Sequence, residues 1–408
     1  MFSGGVLNAP DPKRQEPKGI KDSPELFAKD IMEAGDNIAD KDVVMALASN
    51  ATSTLYWLED LGLKVKDEIY SKGAGNSVER SHETEPFTSG RDYLDVLKKA
   101  ADKHGVKFVT SMKATELLQD KNGRVTQVKA VDNKGKETIY EAKAVILATG
   151  GFGANVEMRM QYDPRLTSAF GTTNNPSGKA QVGNTGDGIV MAQKIGAATT
   201  GMEYIQLLAL NSGRSVVYAG ADIFITKDGK RFVDENGRRD VVANAMIAAP
   251  DSFCWVITDS QSRKAATFES RLKSGMIKEA QSVEEMAKGM GIDPKVLQQT
   301  LDTYNKYAKE GKDPEFGRTI FTQQIDKAPY YYGKMQQEVH YTMGGLVISP
   351  KAEVKDSKGK VISGLYAAGE VTGGVHGTNR VGGNGVLDIM VFGRIAGQNA
   401  AEIAKKTK

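Results

Sequence analysis

A glycine-rich segment near the C-terminus restricts the folds open to this chain more than any other feature. It connects an apolar strand that ends at Ala368 with an apolar helix that begins near Gly385. Each glycine costs conformational entropy on folding, so a plain loop has no need of so many. The first turn of the helix would direct its free N–H groups and positive dipole end at a bound group. The segment contains Gly369, Gly373, Gly374, Gly377, Gly382, Gly383 and Gly385.

A second apolar strand ends in glycines far upstream. The run 144–147 leads into Thr149, Gly150 and Gly151, and its apolar residues predict a strand that is buried on both faces. The glycines would let a planar ligand or a phosphate approach the backbone, although a tight strand-to-loop turn explains them equally well. Gly186-Asp187-Gly188 precedes a predicted helix, where Asp187 either serves a ligand or acts only as the N-cap.

The remaining patterns predict an α/β chain with an insertion. Ser23 and Pro24 form a typical capped helix start. Further helices are predicted from Val43 to Leu58 and over 93–103. Alternating apolar and polar residues over 106–149 predict a β-meander whose first strand covers 106–110. We predict one α/β domain made of residues 1–160 and 335–408, which is split by a second domain at 161–334.

Composition excludes several classes of protein. The chain has 408 residues and a formal net charge of +3, so it lacks the basic excess expected for a nucleic-acid partner. No apolar run approaches the roughly 18 residues of a membrane span, and no signal peptide is visible. The single cysteine, Cys254, excludes an intrachain disulfide, a haem-attachment motif and a zinc cluster, so no metal site is expected. Its apolar neighbours predict a buried structural thiol.

Taken in order along the chain, these motifs resemble the flavoprotein part of the soluble fumarate reductases and urocanate reductases, relatives of the succinate dehydrogenase flavoproteins. The resemblance implies a Rossmann-like FAD-binding domain with an inserted α+β capping domain. It also implies FAD as cofactor and reduction of the C=C bond of a small unsaturated carboxylate. The motifs that carry it are Ser3-Gly-Gly-Val-Leu-Asn-Ala9, Ala148-Thr-Gly-Gly-Phe152, Gly186-Asp-Gly188, Gly229-Lys-Arg-Phe-Val-Asp-Glu235, Arg239-Asp240, His340-Tyr-Thr-Met-Gly-Gly345 and the block 365–397.

The resemblance also implies roles for individual residues. Substrate would bind to His340, Arg380 and the backbone at Gly383, because an arginine fork matches a carboxylate and a histidine adds a donor. A satisfied strand histidine and a surface ion pair are the alternative interpretations of His340 and Arg380. Glu370 would bind ribitol or ribose hydroxyls of FAD. The positions implied to contact FAD are Ser3, Gly4, Gly5, Thr149, Gly150, Gly151, Asp187, Tyr341, Glu370 and Val386.

By the same resemblance, Arg239 is the proton donor of the reaction. Arginine normally keeps its proton, since its pKa exceeds ~12. Hydride delivery to one alkene carbon, however, leaves a strongly basic carbanion or enolate at the other. A desolvated cation would stabilise that charge before it yields its proton. Arg238 is the fallback donor, and a salt bridge of Arg239 with Asp240 or Glu235 is the structural alternative.

Two features depart from the family pattern. The sequence contains no Gly-x-Gly-x-x-Gly, so the first βαβ unit, which would hold the FAD pyrophosphate, is expected to be missing. Leu208 stands where fumarate-reducing relatives carry a histidine, and residues 209–222 lack a matching Glu–Arg pair, although Arg214, Tyr218 and Asp222 are polar. Because leucine cannot bind a second carboxylate, the sequence favours a urocanate-, cinnamate- or acrylate-type substrate over fumarate.

Several alternatives stay open at this point. The chain could be a fumarate reductase proper, a flavin dehydrogenase that runs the reverse desaturation, or a non-catalytic flavin-binding fragment. The electron donor could be a cytochrome, an FMN-bearing domain or NADH. The protein is expected to be soluble, in the periplasm or the cytoplasm depending on the missing N-terminus.

Overall fold

The chain forms two compact units. The first comprises residues 1–167, 172–206 and 340–408, and the second comprises 168–171 and 207–339. The second unit thus begins later than the predicted position 161, because Ile189, Met191 and Ala192 pack into the core of the first unit. A computed structural model describes residues 4–70, 75–86, 88, 90–174, 183–209, 212–216, 220–249, 252–265 and 267–406.

The helices begin where the sequence supplies a suitable first turn. Ser23 accepts a hydrogen bond from the Leu26 N–H and Pro24 occupies the first turn, which confirms the predicted start. Asp40 caps the next helix in the same way. The helices are α1 (Pro12–Gln15), α2 (Pro24–Ala34), α3 (Lys41–Asp60), α4 (Arg91–Lys103), α5 (Val156–Tyr162), α6 (Asp187–Lys194), α7 (Arg239–Ala248), α8 (Phe268–Lys273), α9 (Val283–Met290), α10 (Pro294–Glu310) and α11 (Asn384–Lys406). Helices α7 to α10 belong to the second unit and the others to the first.

The strands are short and form several small sheets. The strands are β1 (Leu7–Asn8), β2 (Val65–Tyr70), β3 (Ser81–Thr84), β4 (Met112–Gln119), β5 (Val125–Asp132), β6 (Glu137–Glu141), β7 (Val145–Leu147), β8 (Thr199–Thr200), β9 (Ile205–Leu208), β10 (Ile223–Ile225), β11 (Phe253–Asp259), β12 (Lys278–Ala280), β13 (Tyr330–Gln336), β14 (Glu338–Thr342), β15 (Gly345–Val347), β16 (Glu353–Lys355), β17 (Val361–Ala367) and β18 (Thr372–Gly373). Strands β10 to β13 belong to the second unit, and the chain passes between the units within β9 and β14.

The sheets of the first unit place both strand-and-glycine motifs side by side. Strand β7 pairs in parallel with β17, which pairs on its other edge with β16. Strands β4, β5 and β6 form the antiparallel meander that the alternation predicts. Smaller sheets have the orders β1-β3-β2, β18-β15-β8 and β14-β9. The core that these elements cover includes Leu47, Leu365 and Phe392.

Two details of the predicted meander are wrong. Residues 106–110 form no strand, and Val106, Phe108 and Val109 are 51%, 56% and 58% exposed. A strand needs a neighbour for its backbone groups, and none pairs with this segment in the part of the chain that the structure describes. Strand β7, predicted to be buried on both faces, exposes Ile146 to 38% because β7 is the outer strand of its sheet.

The second unit is built on an antiparallel sheet of order β10-β11-β13-β12. Alternate residues of β11 face two separate cores, as the period of two requires. Trp255 and Ile257 belong to the core that contains Tyr304, whereas Cys254 belongs to the core that contains Met246. Cys254 is buried as predicted, and burial raises the pKa of its thiol. Among the described helices, none combines the length and the hydropathy needed to cross a bilayer.

Candidate active site

The glycine motifs of the first unit meet at one edge of the β7–β17 pair. Leu147 lies opposite Ala367 in parallel register, so the segments that follow both strands leave the same edge of the sheet. The first turn of α6 lies against them, since a Cβ at Gly188 would collide with the side chain of Thr149. Asp187 is the first residue of α6 and makes no capping bond, so it is not the N-cap. Its carboxylate lies 3.5 Å from the Lys113 ammonium group.

The Glu370 carboxylate lies behind these glycines and is buried. It accepts hydrogen bonds from the Thr342 N–H at 3.0 Å, from the Thr342 hydroxyl at 3.1 Å and from Asn184 Nδ2 at 2.9 Å. A Cβ at Gly151 would collide with both Thr342 and Glu370, and one at Gly150 would collide with Asn184. Burial raises the pKa of Glu370 to about 7, against the opposing effect of these donors. Glu370 therefore changes charge near neutral pH.

The N-terminal segment packs against the start of α11. Asn8 Nδ2 donates to the Gly382 carbonyl and to Asn384 Oδ1, both at 2.8 Å. Gly383 has φ of 98°, and a Cβ there would collide with Asn8, so this position requires glycine. Gly5 nearby in sequence has φ of 61° and is buried, whereas Gly4 is exposed. Ser3 lies outside the described residues.

Arg380 is buried in the first unit. Its guanidinium donates to Gln206 Oε1 at 2.9 Å and to the Val381 carbonyl at 3.2 Å, and Gln206 Nε2 donates back to the Arg380 carbonyl at 2.9 Å. The guanidinium carbon lies 4.5 Å from the centre of the Tyr341 ring. Arg380 makes no ion pair with any described residue, and its Nε has no hydrogen-bond partner there. The surface ion pair considered from the sequence is therefore wrong.

A buried polar cluster supports the other side of Tyr341. The Tyr341 hydroxyl donates to Asp388 Oδ2 at 3.0 Å and lies 3.3 Å from His376 Nε2. His376 and Asp388 are 2% and 1% exposed, and burial lowers the pKa of the imidazole. His376 Nδ1 and Asp388 Oδ1 have no hydrogen-bond partner among the described residues. The cluster therefore fixes Tyr341 beside Arg380.

His340 and Val386 also lie in the first unit. His340 Nδ1 is 2.8 Å from the hydroxyl oxygen of Thr173, and the imidazole is partly buried in β14. Val386 is partly buried in the first turn of α11 and packs against the hydrophobic core. Every predicted site residue that the structure describes, apart from Arg239, thus belongs to one compact unit.

Arg239 belongs to the second unit, where it is the first residue of α7. The neighbouring Arg238 donates to both oxygens of Asp240 at 2.7 Å. Glu235, the other acid considered as a partner of Arg239, accepts from Arg231 at 2.8 Å and from Arg318 at 2.6 Å. Among the polar residues of 209–222, Arg214 binds Asp222 at 2.6 Å, and Tyr218 lies outside the described residues.

Sequence reasoning missed several residues that contact the predicted ones. Thr342, His376 and Asp388 stand inside the motifs themselves, so a buried polar residue within a glycine-rich motif was the available signal. Asn184, Gln206 and Thr173 lie outside any motif that carries a chemical role, and their contacts span 186, 174 and 167 positions in sequence. No local pattern indicates such pairs.

These features fit a large cofactor that has hydroxyl groups and a planar ring. The buried Glu370 carboxylate suits sugar hydroxyls, and the tight glycines let a flat group approach the backbone. Asn384 Nδ2 and Arg380 Nε are buried donors without partners in the described part of the chain. Helix α11 begins there, and its first N–H groups favour a group that gains negative charge. The class of protein that this arrangement defines is the FAD-binding flavoproteins.

Comparison with known proteins gives the same class. A model of the FAD binding domain family matches residues 1–386. A probable fumarate reductase of Shewanella frigidimarina (strain NCIMB 400) is 38% identical over 99% of this chain and 68% of that protein. The urocanate reductase of Eggerthella lenta is 37% identical over the same shares. A flavocytochrome c3 fumarate reductase, solved in an open conformation, matches with a TM-score of 0.82 at 34% identity, over 99% of this chain and 71% of that one.

The chain belongs to the FAD binding domain family and shares the mixed helix-and-sheet flavoprotein fold of fumarate reductase. It is an FAD-dependent oxidoreductase. The family resemblance and the FAD cofactor predicted from the sequence motifs are both confirmed.

Proposed function

We propose that this protein uses FAD to reduce the C=C bond of a small unsaturated carboxylate. One observation carries the proposal: Arg380 is a buried cation that makes no ion pair in the described part of the chain and keeps Nε without a partner. Burying a charge is costly unless an opposite charge compensates it. A substrate carboxylate would supply that charge and match the arginine fork. Relatives named as fumarate and urocanate reductases support the same substrate class.

The first unit would hold FAD through the glycine motifs and α11. Bound FAD supplies the hydride from its N5, after reduction by a cytochrome, an FMN-bearing domain or NADH. Glu370 would bind ribitol or ribose hydroxyls, and the first turn of α11 would face the part of the ring that gains negative charge. The other proposed contacts are Ser3, Gly4, Gly5, Thr149, Gly150, Gly151, Asp187, Tyr341 and Val386.

The pyrophosphate of FAD would need a βαβ unit with Gly-x-Gly-x-x-Gly that these 408 residues do not contain. Among the described strands, β7 pairs with β17 alone, and its other edge supports the addition of such a unit. Parallel sheets are normally covered, yet Ile146 of β7 is 38% exposed. Added strands would pair with this edge and cover Ile146.

The second unit would serve as the α+β capping domain and supply Arg239 as the proton donor. Arg238 is less suited to this role, because its fork is bound by both oxygens of Asp240. Arg239 would stay protonated until the substrate carbon becomes strongly basic, and would then yield its proton to that carbon.

We expect Arg239→Ala to abolish alkene reduction while FAD stays bound, since the change removes the donor and no flavin contact. Anaerobic turnover and the flavin absorbance of the same sample measure the two effects. Arg238→Ala is the matched control. Arg239→Lys should rescue only in part, because ammonium lacks the planar fork. Turnover of Arg239→Ala within tenfold of the unchanged protein would assign the role to Arg238 or to water.

The substrate would be a monocarboxylate with an apolar or aromatic tail. His340, Arg380 and the Gly383 backbone would bind the carboxylate. Leu208 is partly buried in β9 and offers no group for a second one. Arg214, which could compensate, is bound to Asp222 by two hydrogen bonds of 2.6 and 3.1 Å. An ionised carboxylate facing leucine would lose several kcal/mol, about a thousandfold in kcat/KM.

The test measures anaerobic oxidation of a reduced viologen dye by FAD-loaded protein with urocanate, cinnamate, acrylate or fumarate at matched concentrations. One of the first three should turn over faster than fumarate. Leu208→His should raise kcat/KM for fumarate and lower it for the preferred acid. A preference of the unchanged protein for fumarate would contradict the assignment and indicate that residues 209–222 hold the second carboxylate.

A further inference from the structure

Thr173 and His340 form a partly buried side-chain hydrogen bond in the first unit. The Thr173 hydroxyl oxygen lies 2.8 Å from His340 Nδ1, and Thr173 is fully buried. His340 is part of β14, in which residues two apart share a face. Thr342 therefore lies on the same face as His340, and Thr342 binds the Glu370 carboxylate. The bond thus fixes a ring on the face that meets the proposed FAD contacts.

The hydroxyl of Thr173 can support either charge state of the imidazole, because it rotates and both donates and accepts. When neutral His340 binds a carboxylate oxygen through Nε2–H, Nδ1 is left as an acceptor, and the hydroxyl donates to it. With protonated His340, Nδ1–H donates to the hydroxyl, and Nε2–H is kept. Both of these states present Nε2–H, as binding of a carboxylate oxygen requires.

We propose that Thr173 is a positioning residue that holds the His340 ring with Nε2–H directed at the substrate carboxylate. The proposal rests on the proposed function, in which His340 binds that carboxylate. A partner that orients a ligand-binding histidine typically changes affinity by one to two orders of magnitude when it is removed, as in metal sites. Thr173 does not touch the substrate in this assignment and acts through His340 alone.

The test compares Thr173→Val, which removes the hydroxyl and keeps the volume, with Thr173→Ser, which keeps the hydroxyl. Thr258→Val is the matched control, since Thr258 is a buried threonine whose hydroxyl donates to the Ala221 carbonyl at 2.5 Å. For FAD-loaded protein with acrylate or urocanate, Thr173→Val should raise KM about tenfold and leave kcat within about threefold. Thr173→Ser should restore KM to within about twofold, and Thr258→Val should leave KM unchanged.

A second readout needs no turnover. The sequence contains only four histidines, so ¹⁵N-histidine labelling gives a simple spectrum, and His340→Gln identifies the signals of His340. In the unchanged protein the signals should report a proton on Nε2 and a hydrogen-bonded Nδ1. Thr173→Val should remove that signature, whereas Thr173→Ser should retain it.

The outcomes separate this inference from the proposed function. If His340→Gln leaves KM unchanged, the substrate role of His340 fails. If His340→Gln raises KM while Thr173→Val keeps both the KM and the spectrum of the unchanged protein, the positioning role of Thr173 is overturned. Should Thr173→Val fail to fold, Thr173→Ala replaces it in the same comparison with Thr173→Ser.

Discussion

The surroundings of two buried arginines differ sharply between the units. In the first unit, Arg380 binds Gln206 and a carbonyl group, stacks on Tyr341 and makes no ion pair with a described residue. In the second unit, Arg318 donates to Glu235 at 2.6 Å. Glu235 also pairs with Arg231, which in turn binds Asp313 at 2.9 Å. All four members of that second cluster are buried.

The difference indicates separate roles for Arg380 and for the charged group around Arg318. A buried cluster of two cations and two anions has no net charge left for a ligand, so its role is to fix the fold. A buried cation without an anion keeps an uncompensated charge, which a bound carboxylate would neutralise. The Arg231–Glu235–Arg318–Asp313 cluster should therefore respond to mutation in stability, and Arg380 should respond in substrate binding.

Arg380→Gln gives the largest expected effect. It should lower kcat/KM by three to four orders of magnitude, roughly 4–5.5 kcal/mol of transition-state stabilisation, because it removes the proposed carboxylate anchor. Stability should stay within about 1 kcal/mol or rise, since an uncompensated buried charge is lost. Steady-state kinetics and urea unfolding measure the two effects. A stability loss of several kcal/mol with substrate affinity retained would show that Arg380, like Arg318, stabilises the fold and does not bind substrate.

In contrast to Arg380→Gln, the change Glu235→Gln should lower the stability of the protein. The change leaves Arg231 and Arg318 without their shared carboxylate, and breaking a buried pair typically costs 3–5 kcal/mol of unfolding free energy. The urea midpoint of the second unit measures this loss. Asp102→Asn is the control, because the Lys98–Asp102 pair is about half exposed and should contribute less than about 1 kcal/mol. Equal effects of the two changes would contradict the distinction between the clusters.

Glu370 gives a smaller and pH-dependent effect. Burial raises its pKa from the ordinary 4.5 of a glutamate to about 7 in the folded protein. The folded state therefore binds more protons than the unfolded state, so this contribution to stability is complete below pH 4.5 and is lost as pH rises through 7. The loss amounts to roughly 3 kcal/mol or less. Thermal unfolding of the protein between pH 5 and 8 should show it, and Glu370→Gln should flatten the dependence. An unchanged slope in that variant would assign the pH dependence to another group.

Much of the fold was predictable because its signals are local. The Ser23 cap, the helix over 41–60 and the meander from Met112 to Glu141 follow from residues within a few positions of each other. The strand predicted at 106–110 was wrong, since alternation alone does not supply the neighbouring strand that its backbone needs. The predicted start of the second unit at residue 161 also differed from the structure. Ile189 packs into the core of the first unit, and no local sequence pattern indicates that contact.

The sequence by itself determined the class of this protein. Glycines at positions such as 150 and 383 permit positive φ and close backbone approach because they lack a Cβ, and that is a property of the residue itself. Only the tertiary structure decided which partners the charged and polar groups have. Glu235 binds Arg318 across 83 positions, and Thr173 meets His340 across 167. Such contacts depend on how strands and loops that are distant in the chain pack together, and composition or spacing cannot specify that.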